Sequence, residues 1–501
     1  MKMKNFREIL EKIFSIFAFK KLNDETEHFR KKSAYVVTGF IFTGLFIGLI
    51  ANLVVFLEKE SYDVIGSEFN GRQDILEQRN IRGAIVTREG DILAQSVEKG
   101  DGEYERVYPY SQMFAHAVGF ADYGQMGIEN IANMRLIQSN NSISERVNND
   151  IEQRKNTGDT VVTTLNTRLQ EVSFKSLGAY KGAIIVTEVE TGAVLAMVSK
   201  PDFDPNEIAT NWEKYINDEE SSVLVNRVTQ GLYPPGSTFK ILDSIGLYRQ
   251  NTEGITDYTY HCTGKLYYGQ RKITCYHGTS HGTVDLPKAF AKSCNSAFAN
   301  IGLNLDSVTF AEDLKSLLFH SVLPGPFVHS QSSVEIGENS DETVIVQTSI
   351  GQGTTLMTPY HLNLITCAIA NDGVLMEPMI ISSVKNTEGK TIKEYESKTY
   401  DRLLTGAEAS YMKDLMIGVV TEGTAKRLLE AEYTSAGKTG SAESGTNPED
   451  SHAWFTGFAP AEDPKVAVTI IIENAGTGGD YAVPVAKRLF DAYFSQYPLN
   501  E

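Results

Sequence analysis

Residues 181–201 read KGAIIVTEVETGAVLAMVSKP. Two apolar runs are joined by the turn residues Glu-Thr-Gly at 190–192, a combination typical of a β-hairpin. Near the other end of the chain, residues 453–460 (AWFTGFAP) and 465–474 (KVAVTIIIEN) form two more strand-like runs. Between the hairpin and these two runs, most apolar residues recur at the spacing of an α-helix. Strands at both ends of a region with helices between them predict one antiparallel sheet flanked by helices, an α+β fold.

The composition sets limits on the class of protein. The 501 residues include 46 basic and 64 acidic ones, which gives a formal net charge of −18. With 41% hydrophobic and 10% aromatic residues, the chain can bury a sizeable core, so extended disorder is excluded. A nucleic-acid partner is disfavoured because phosphate binding needs a concentrated positive surface. Four cysteines are too few for a disulfide scaffold.

The N-terminal region predicts a membrane anchor. Residues 34–57 contain no charge over 24 residues, against about 20 needed for a helix to cross a bilayer. Residues 1–33 hold nine Lys or Arg against five acids, which by the positive-inside rule predicts a cytoplasmic N-terminus and places the residues after the span outside the cell. Within this segment, apolar residues between 6 and 17 recur at helical spacing, as in an interfacial amphipathic helix or one that packs on a partner protein.

The external part is expected to contain two regions. Residues 58–158 are expected to form a small, mixed pedestal domain, with a strand, turn and strand at 83–97, followed by a linker. The polar, Asn- and Ser-rich stretch 138–159 favours a loop. A larger domain is expected over residues 159–501.

The segment 233–240, YPPGSTFK, marks the start of a helix. Prolines and a glycine break the chain before Ser237, where a helix-forming run begins. Ser237 and Lys240 are three residues apart, which puts the amine within reach of the hydroxyl on one helix face. If burial and a second nearby cation lower its pKa, Lys240 can take the serine proton. An ordinary helix start with a surface lysine gives the same pattern.

Two more segments carry polar groups that suit a peptide-binding cleft. Ser293 and Asn295, within AFAKSCNSAFANIG, could relay a proton and hold a substrate amide. Residues 436–443, AGKTGSAE, read as an edge strand beside which a peptide could lie, with Lys438 and hydroxyl groups to hold a carboxylate. Alone, each segment is weak evidence for an active site, and Lys-Thr-Gly could equally form a tight turn.

Together the segments follow the order S-x-x-K, S-x-N and K-T-G, the motif order of penicillin-binding proteins and serine β-lactamases. The chain resembles a class B penicillin-binding protein, a monofunctional peptidoglycan D,D-transpeptidase of the small type. Residues 82–83 with 88–94 resemble the pedestal motif of that family, although Thr87 and Glu89 depart from it. The resemblance spans residues 80–490 and implies the penicillin-binding transpeptidase fold.

The resemblance also implies a mechanism. Ser237 would attack the penultimate D-alanine carbonyl of a D-Ala-D-Ala stem peptide while Lys240 takes its proton, and Ser293 would relay protons. Terminal D-alanine would leave, and the amine of a neighbouring stem peptide would resolve the acyl-enzyme. β-Lactams would acylate the same serine covalently.

The remaining implied site residues hold the substrate and its charge. The backbone N–H groups of Ser237 and Ser441 would form an oxyanion hole. The side chains implied in binding are Asn295 for the stem-peptide backbone, and Lys438, Thr439, Gly440 and Ser441 for the terminal carboxylate. The resemblance implies no metal and no cofactor. It also implies a multi-span glycan polymerase as a partner, contacted through the membrane helix and the pedestal.

Two other patterns compete with this interpretation. Residues 278–282, GTSHG, match the nucleophile elbow of α/β-hydrolases and would make Ser280 the nucleophile, but a polar run precedes them and Pro287 follows closely. Histidines and cysteines between 261 and 281 imitate a zinc site. Twelve residues separate Cys262 from Cys275, which argues against zinc because structural zinc sites usually space their cysteines by two to four residues. An external location and a possible hairpin at 266–274 favour a disulfide, with two free thiols as the remaining alternative.

The other cysteines, Cys294 and Cys367, lie in apolar helical runs and are expected to be packing residues.

Two further functions are compatible with the same three motifs. A membrane β-lactam sensor would be acylated without turnover, and a β-lactamase would hydrolyse the drug. A sensor usually carries a larger signalling part than 33 residues and one span provide.

Overall fold

The computed structural model of the protein describes residues 26–59, 72–100, 102–218, 220–443 and 450–499. The chain divides into two compact units, residues 1–73 and 74–501. In the first unit, helix α1 (Thr26–Lys59) contains the 21-residue stretch Tyr35–Val55, which is long and apolar enough to cross a membrane and has no buried residue. The amphipathic helix predicted near residues 6–17 lies outside the described residues.

The α-helices that follow α1 are distributed along the rest of the chain. In the described residues they are α2 (Arg72–Arg79), α3 (Ala115–Val118), α4 (Gly127–Ile131), α5 (Asn133–Ile137), α6 (Ile143–Ile151), α7 (Thr167–Leu177), α8 (Ile208–Ile216), α9 (Lys240–Gln250), α10 (Leu286–Ala291), α11 (Asn295–Asn304), α12 (Ser307–Ser316), α13 (Glu342–Ser349), α14 (Pro359–Ala370), α15 (Gly406–Thr421) and α16 (Val483–Gln496).

The strands fall into two larger sheets and four short pairs. In the described residues they are β1 (Asn80–Ile81), β2 (Ile85–Val86), β3 (Ile92–Gly100), β4 (Glu103–Val107), β5 (Asn156–Thr157), β6 (Thr160–Thr163), β7 (Gly182–Glu188), β8 (Val194–Lys200), β9 (Thr259–Cys262), β10 (Lys265–Tyr268), β11 (Arg271–Thr274), β12 (Gly282–Asp285), β13 (Val374–Met376), β14 (Ile381–Lys385), β15 (Thr391–Glu394), β16 (Thr399–Arg402), β17 (Ala436–Ala442), β18 (His452–Ala459) and β19 (Val466–Ile472).

The predicted antiparallel sheet from both ends of the domain is confirmed. Five strands pair in the order β17-β18-β19-β7-β8, and every pairing is antiparallel. The hairpin β7–β8 turns at the predicted residues 190–192. Because β17 is at one end of this order, one of its two sides has no partner strand in the sheet.

Helices cover both faces of this sheet. All residues of β18 and β19 are buried, which requires cover on each face because successive side chains point to opposite sides. Helix α14 packs against β7, β18 and β19, whereas α7 and α16 pack on each other and on β8 and β19. On the α14 face, Thr187 donates a hydrogen bond of 2.7 Å to Asn363 Oδ1, which pairs two buried polar side chains.

The second larger sheet combines segments from distant parts of the sequence. Its order is β15-β14-β6-β2-β3-β4, and β2 is parallel to β6 while the other pairs are antiparallel. The predicted strand-turn-strand at 83–97 is β2 and β3. Strands β14 and β15 come from residues 381–394, far along the chain from the expected pedestal.

A buried ion-pair cluster joins the strands of this sheet to helix α4. The fully buried Glu129 accepts hydrogen bonds from Arg82 Nε at 2.6 Å and from Arg106 Nε at 2.7 Å. Burial alone would raise the pKa of Glu129, but the two guanidinium groups hold it below its ordinary value. Arg82 of the predicted pedestal motif therefore has a structural partner.

The loop predicted over residues 138–159 is partly wrong, because helix α6 lies within it. The Ser142 side chain caps the helix by accepting a hydrogen bond from the backbone N–H of Glu145. Ile143, Val147 and Ile151 then recur at four-residue spacing, a helical signal that the surrounding Asn and Ser residues obscure.

Candidate active site

Ser237 lies in a tight helical turn, Gly236–Phe239, that continues directly into α9. Trp454 Nε1 donates a 3.1 Å hydrogen bond to the carbonyl of Pro234, which fastens the segment before the turn to strand β18. Lys240, one turn after Ser237, places its Nζ 2.9 Å from Ser237 Oγ. The structure brings the predicted serine and lysine into direct contact.

Lys240 is fully buried and uses its side chain to join two segments of the site. Its Nζ lies 2.9 Å from the carbonyl oxygen of Ser293, 3.2 Å from Ser293 Oγ and 2.7 Å from Asn295 Oδ1. These contacts hold the amine beside the hydroxyl of Ser237. A buried amine with this set of neighbours can accept a proton from the serine and pass it to Ser293.

The Ser293–Asn295 segment connects α10 to α11. Ser293 has a φ of 54°, in the left-handed region that non-glycine residues seldom adopt, at a cost of roughly 1–3 kcal/mol. In this conformation its carbonyl and its hydroxyl both face Lys240. Asn295 Nδ2 donates to the carbonyl of Thr274 at 3.1 Å, while its Oδ1 accepts from the lysine.

Lys438 enters the site from β17. Its Nζ lies 3.0 Å from Ser293 Oγ and 3.0 Å from the carbonyl oxygen of Thr439, and the side chain is fully buried. Ser293 Oγ is therefore between two lysine amines, Lys240 Nζ and Lys438 Nζ. The three segments predicted from the sequence form one cluster.

Burial lowers the pKa of both lysines. The pKa of Lys240 falls to about 8, since burial outweighs the opposing effects of nearby Cys294, Cys275 and Asp243. The pKa of Lys438 lies well below its usual range because of burial and then the charge of Lys240. Burial is the largest cause for each lysine. The second cation expected to lower the pKa of Lys240 is not among its causes, whereas the charge of Lys240 does lower the pKa of Lys438.

Strand β17 provides the edge along which a peptide could bind. Gly440 is required there, since a Cβ at this position would meet Trp454 Cβ at 2.9 Å and the carbonyl of Pro235 at 3.0 Å. Ser441 Oγ accepts a 3.3 Å hydrogen bond from the backbone N–H of Gly478. An unpaired strand edge can add an extended peptide through main-chain hydrogen bonds.

Two residues of this region, Thr424 and Asp243, were not predicted from the sequence. Thr424, which follows α15, places its Oγ1 2.5 Å from Thr439 Oγ1. Asp243, one turn beyond Lys240, is fully buried, its carboxylate oxygens have no hydrogen-bond partner in the described residues, and burial raises its pKa well above the usual value. Its i, i+3 spacing from the predicted lysine was an available signal.

The competing serine does not form a nucleophile elbow. Ser280 Oγ donates to the carbonyl of Cys262 at 2.8 Å, and a strand, β12, follows it instead of a helix.

The disulfide expected between Cys262 and Cys275 is wrong, since their Sγ atoms lie 3.6 Å apart as free thiols, well beyond the bond length of about 2.05 Å.

Two family models match this chain, and proteins similar to it are known. Residues 182–491 match the family "Penicillin binding protein transpeptidase domain", which covers more than half of the chain, and residues 82–161 match "Penicillin binding protein A dimerisation domain". The peptidoglycan D,D-transpeptidase PbpA of Mycolicibacterium smegmatis is 31% identical over 478 residues, covering 89% of this chain and 96% of that protein.

Two solved structures share the fold. Penicillin-binding protein A from M. tuberculosis, as its ceftriaxone acyl-enzyme complex, superposes with a TM-score of 0.75 at 29% identity, covering 84% of this chain and 99% of that one. The D,D-transpeptidase domain of a peptidoglycan glycosyltransferase from Eggerthella lenta gives a TM-score of 0.74 at 28% identity, covering 84% and 100%. The chain belongs to the penicillin-binding protein transpeptidase family, as a member of its class B.

Proposed function

We propose that this chain is a serine-type peptidoglycan D,D-transpeptidase that works through an acyl-enzyme on Ser237. One observation carries the proposal: the fully buried Lys240 Nζ lies 2.9 Å from Ser237 Oγ, so a lysine with a lowered pKa directly contacts the nucleophile. A serine hydroxyl becomes an effective nucleophile at neutral pH when an adjacent base takes its proton.

In the first half-reaction, Lys240 and Ser293 transfer the proton of Ser237 to the leaving group. Lys240 accepts the proton of Ser237 as Oγ attacks the penultimate D-alanine carbonyl, and Ser293 passes that proton to the leaving D-alanine amine. The 3.2 Å and 3.0 Å contacts of Ser293 Oγ with Lys240 and Lys438 support this relay. Backbone N–H groups of Ser237 and Ser441 stabilise the developing oxyanion.

The second half-reaction reverses the proton path. The amine of a neighbouring stem peptide attacks the acyl-enzyme, gives its proton to the same relay and forms the cross-link as Ser237 leaves. Asn295 holds the stem-peptide backbone, and Lys438 with residues 439–441 binds the terminal carboxylate. β-Lactams acylate Ser237 because their carboxylate and strained amide occupy the same positions.

The same proposal covers organisation and location. The separate family matches over 82–161 and 182–491 support a pedestal within 58–158 and a transpeptidase domain within 159–501. The apolar stretch Tyr35–Val55 supports a single membrane span. From the charge of residues 1–33 we infer a cytoplasmic N-terminus and an external catalytic domain. From the membership of the class B family we infer a multi-span glycan polymerase as partner.

The decisive experiment offers the full-length protein a synthetic stem pentapeptide ending in D-Ala-D-Ala together with an amine acceptor. Release of D-alanine and formation of the cross-linked product, both absent in Ser237→Ala, are expected. Acylation by penicillin without D-alanine release would indicate a β-lactam sensor instead. Repeated hydrolysis of penicillin would indicate a β-lactamase.

A further inference from the structure

Four metal-binding side chains meet next to the active site, and we call them the Cys3His cluster: Cys262, Cys275, His281 and Cys294. They come from the end of β9, the residue after β11, the residue before β12, and the N-cap of α11. All four donor atoms lie within 4.8 Å of one another, and the three cysteines are buried. The sequence analysis took Cys294 for a packing residue and so missed this convergence.

Three of the distances between donor atoms match the edges of a tetrahedral zinc site. Cys262 Sγ lies 3.6 Å from Cys275 Sγ and 3.5 Å from His281 Nδ1, and Cys275 Sγ lies 3.8 Å from Cys294 Sγ. With Zn–S bonds of about 2.3 Å and Zn–N bonds of about 2.0–2.1 Å, tetrahedral geometry gives S–S edges of about 3.8 Å and S–N edges of about 3.6 Å. We propose that the Cys3His cluster holds a structural Zn²⁺ ion.

Groups around the cluster are placed to stabilise thiolates. The backbone N–H of Gly264 lies 3.3 Å from Cys262 Sγ, and that of Ala297 lies 3.4 Å from Cys294 Sγ. Ser296 Oγ lies 3.2 Å from Cys275 Sγ. Hydrogen bonds of this kind orient zinc-bound sulfurs and balance their charge.

The turns that carry the ligands are also specialised. Gly264 has a φ of +91°, and a Cβ there would meet the carbonyl oxygen of Gly278 at 2.3 Å. Ser280, next to His281, donates its hydroxyl to the carbonyl of Cys262. The GTSHG segment that imitates a hydrolase elbow therefore fastens one ligand to the backbone of another.

A disulfide explains less of this arrangement. One disulfide would use two of the three thiols and leave a third thiol and an imidazole beside it. Zinc uses all four donors and leaves no open coordination position, which is the pattern of structural rather than catalytic zinc. Binding releases the three thiol protons, so the ion replaces neutral thiols by a cluster of net charge −1.

The site bears on catalysis through Cys294, the middle residue of Ser293-Cys294-Asn295. A metal bond to Cys294 holds this segment in place, including the strained Ser293 backbone. Cys275 follows Thr274, whose carbonyl accepts the hydrogen bond from Asn295. Two of the zinc ligands are thus next to residues that position Lys240. This effect on catalysis rests on the proposed function. The metal site itself does not depend on the proposed function.

Metal content of the full-length protein, purified in detergent with a reducing agent and no chelator, tests the site directly. About one zinc per chain is expected by elemental mass spectrometry. Cys262→Ser and His281→Ala should each lose most of it. His277→Ala is the matched control, because His277 is exposed, close in sequence and outside the cluster, and this variant should keep its zinc.

Cobalt exchange gives a readout of the ligands themselves. Co²⁺ in the cluster should show the intense visible bands of tetrahedral cobalt and a thiolate charge-transfer band, both lost in Cys275→Ser. Stripping the zinc should lower the melting temperature and slow acylation by penicillin about tenfold, with recovery on adding Zn²⁺.

The proposal is overturned if wild-type protein that is acylated normally contains under about a tenth of a zinc per chain after incubation with Zn²⁺. Four reactive thiols, or a mass that lacks two thiol hydrogens, would then identify free cysteines or a disulfide. Ser237→Ala separates the two proposals, because it should lose the penicillin adduct and keep its zinc.

Discussion

Lys240 and Lys438 converge on one hydroxyl group, with their Nζ atoms 3.2 Å and 3.0 Å from Ser293 Oγ. Both side chains are fully buried. Two charged amines in one buried site repel each other and lose hydration, so the pair favours states with one proton fewer. This arrangement favours a neutral amine close to neutral pH.

The pH dependence of acylation should report the protonation of Lys240. A protonated amine cannot take the proton of Ser237, so the rate of penicillin acylation should rise with pH and level off above about 8. Burial lowers the pKa of Lys240, and the smaller effects of Cys294, Cys275 and Asp243 raise it. Rates measured with a fluorescent penicillin on both sides of pH 8 check this. A flat profile, or a rate that falls through this range, would argue against Lys240 as the base.

Replacement of Lys438 should separate its charge from its packing. Lys438→Met keeps most of the side-chain length but removes the positive charge beside Ser293. Acylation should slow by roughly 100-fold, as on loss of one preorganised electrostatic donor. The inflection of the rate profile should stay near pH 8, because burial, and not the charge of Lys438, lowers the pKa of Lys240. The same fluorescent assay measures both quantities. An inflection that moves to higher pH would contradict this and show that the charge of Lys438 also lowers the pKa of Lys240.

The two candidate serines make opposite claims. Ser237→Ala should abolish the covalent penicillin adduct, because it removes the hydroxyl that Lys240 contacts. Ser280→Ala should keep the adduct, because Ser280 only donates to the carbonyl of Cys262. Intact-protein mass spectrometry after penicillin treatment distinguishes them. The reverse result would transfer the nucleophile to the GTSHG segment.

The sequence predicted those contacts whose residues are close together along the chain. The β7–β8 hairpin and the Ser237–Lys240 pair were identified because each is encoded by neighbours in the chain. Cys294 was assigned to packing because its nearest sulfur, that of Cys275, lies 19 residues away. Periodicity describes one element at a time, and these contacts join different elements.

The pedestal shows the same limit. The Arg82 motif could be recognised, but its partner Glu129 lies 47 residues further along, in a short helix with no distinctive pattern. Similarly, nothing local indicated that β14 and β15 would extend a sheet begun before residue 110. Tertiary pairing supplies this information, and composition does not.

Loss of the Glu129 carboxylate should show how much the buried ion-pair cluster of Arg82, Arg106 and Glu129 stabilises the protein. Glu129→Ala leaves two guanidinium groups without their shared partner, which should cost about 3–5 kcal/mol of unfolding free energy. Glu105→Ala is the control, because its ion pair with Lys99 is exposed at 51% and 58% and should contribute at most about 1 kcal/mol. Urea unfolding of both variants measures the difference. Equal losses would mean that the buried cluster is not specially stabilising.

Thr424 should affect substrate binding although it lies outside the three motifs. Its Oγ1 lies 2.5 Å from Thr439 Oγ1, so it fixes the direction of the hydroxyl expected to face the substrate carboxylate. Thr424→Val keeps the shape and removes one hydrogen bond, worth about 0.5–1.5 kcal/mol, which predicts a roughly 2- to 10-fold fall in the second-order rate of penicillin acylation. Thr421→Val is the matched control, because its hydroxyl bonds only to the carbonyl of Ile417 in its own helix and should leave the rate unchanged. Equal effects of the two substitutions would show that the Thr424–Thr439 contact does not orient the binding strand.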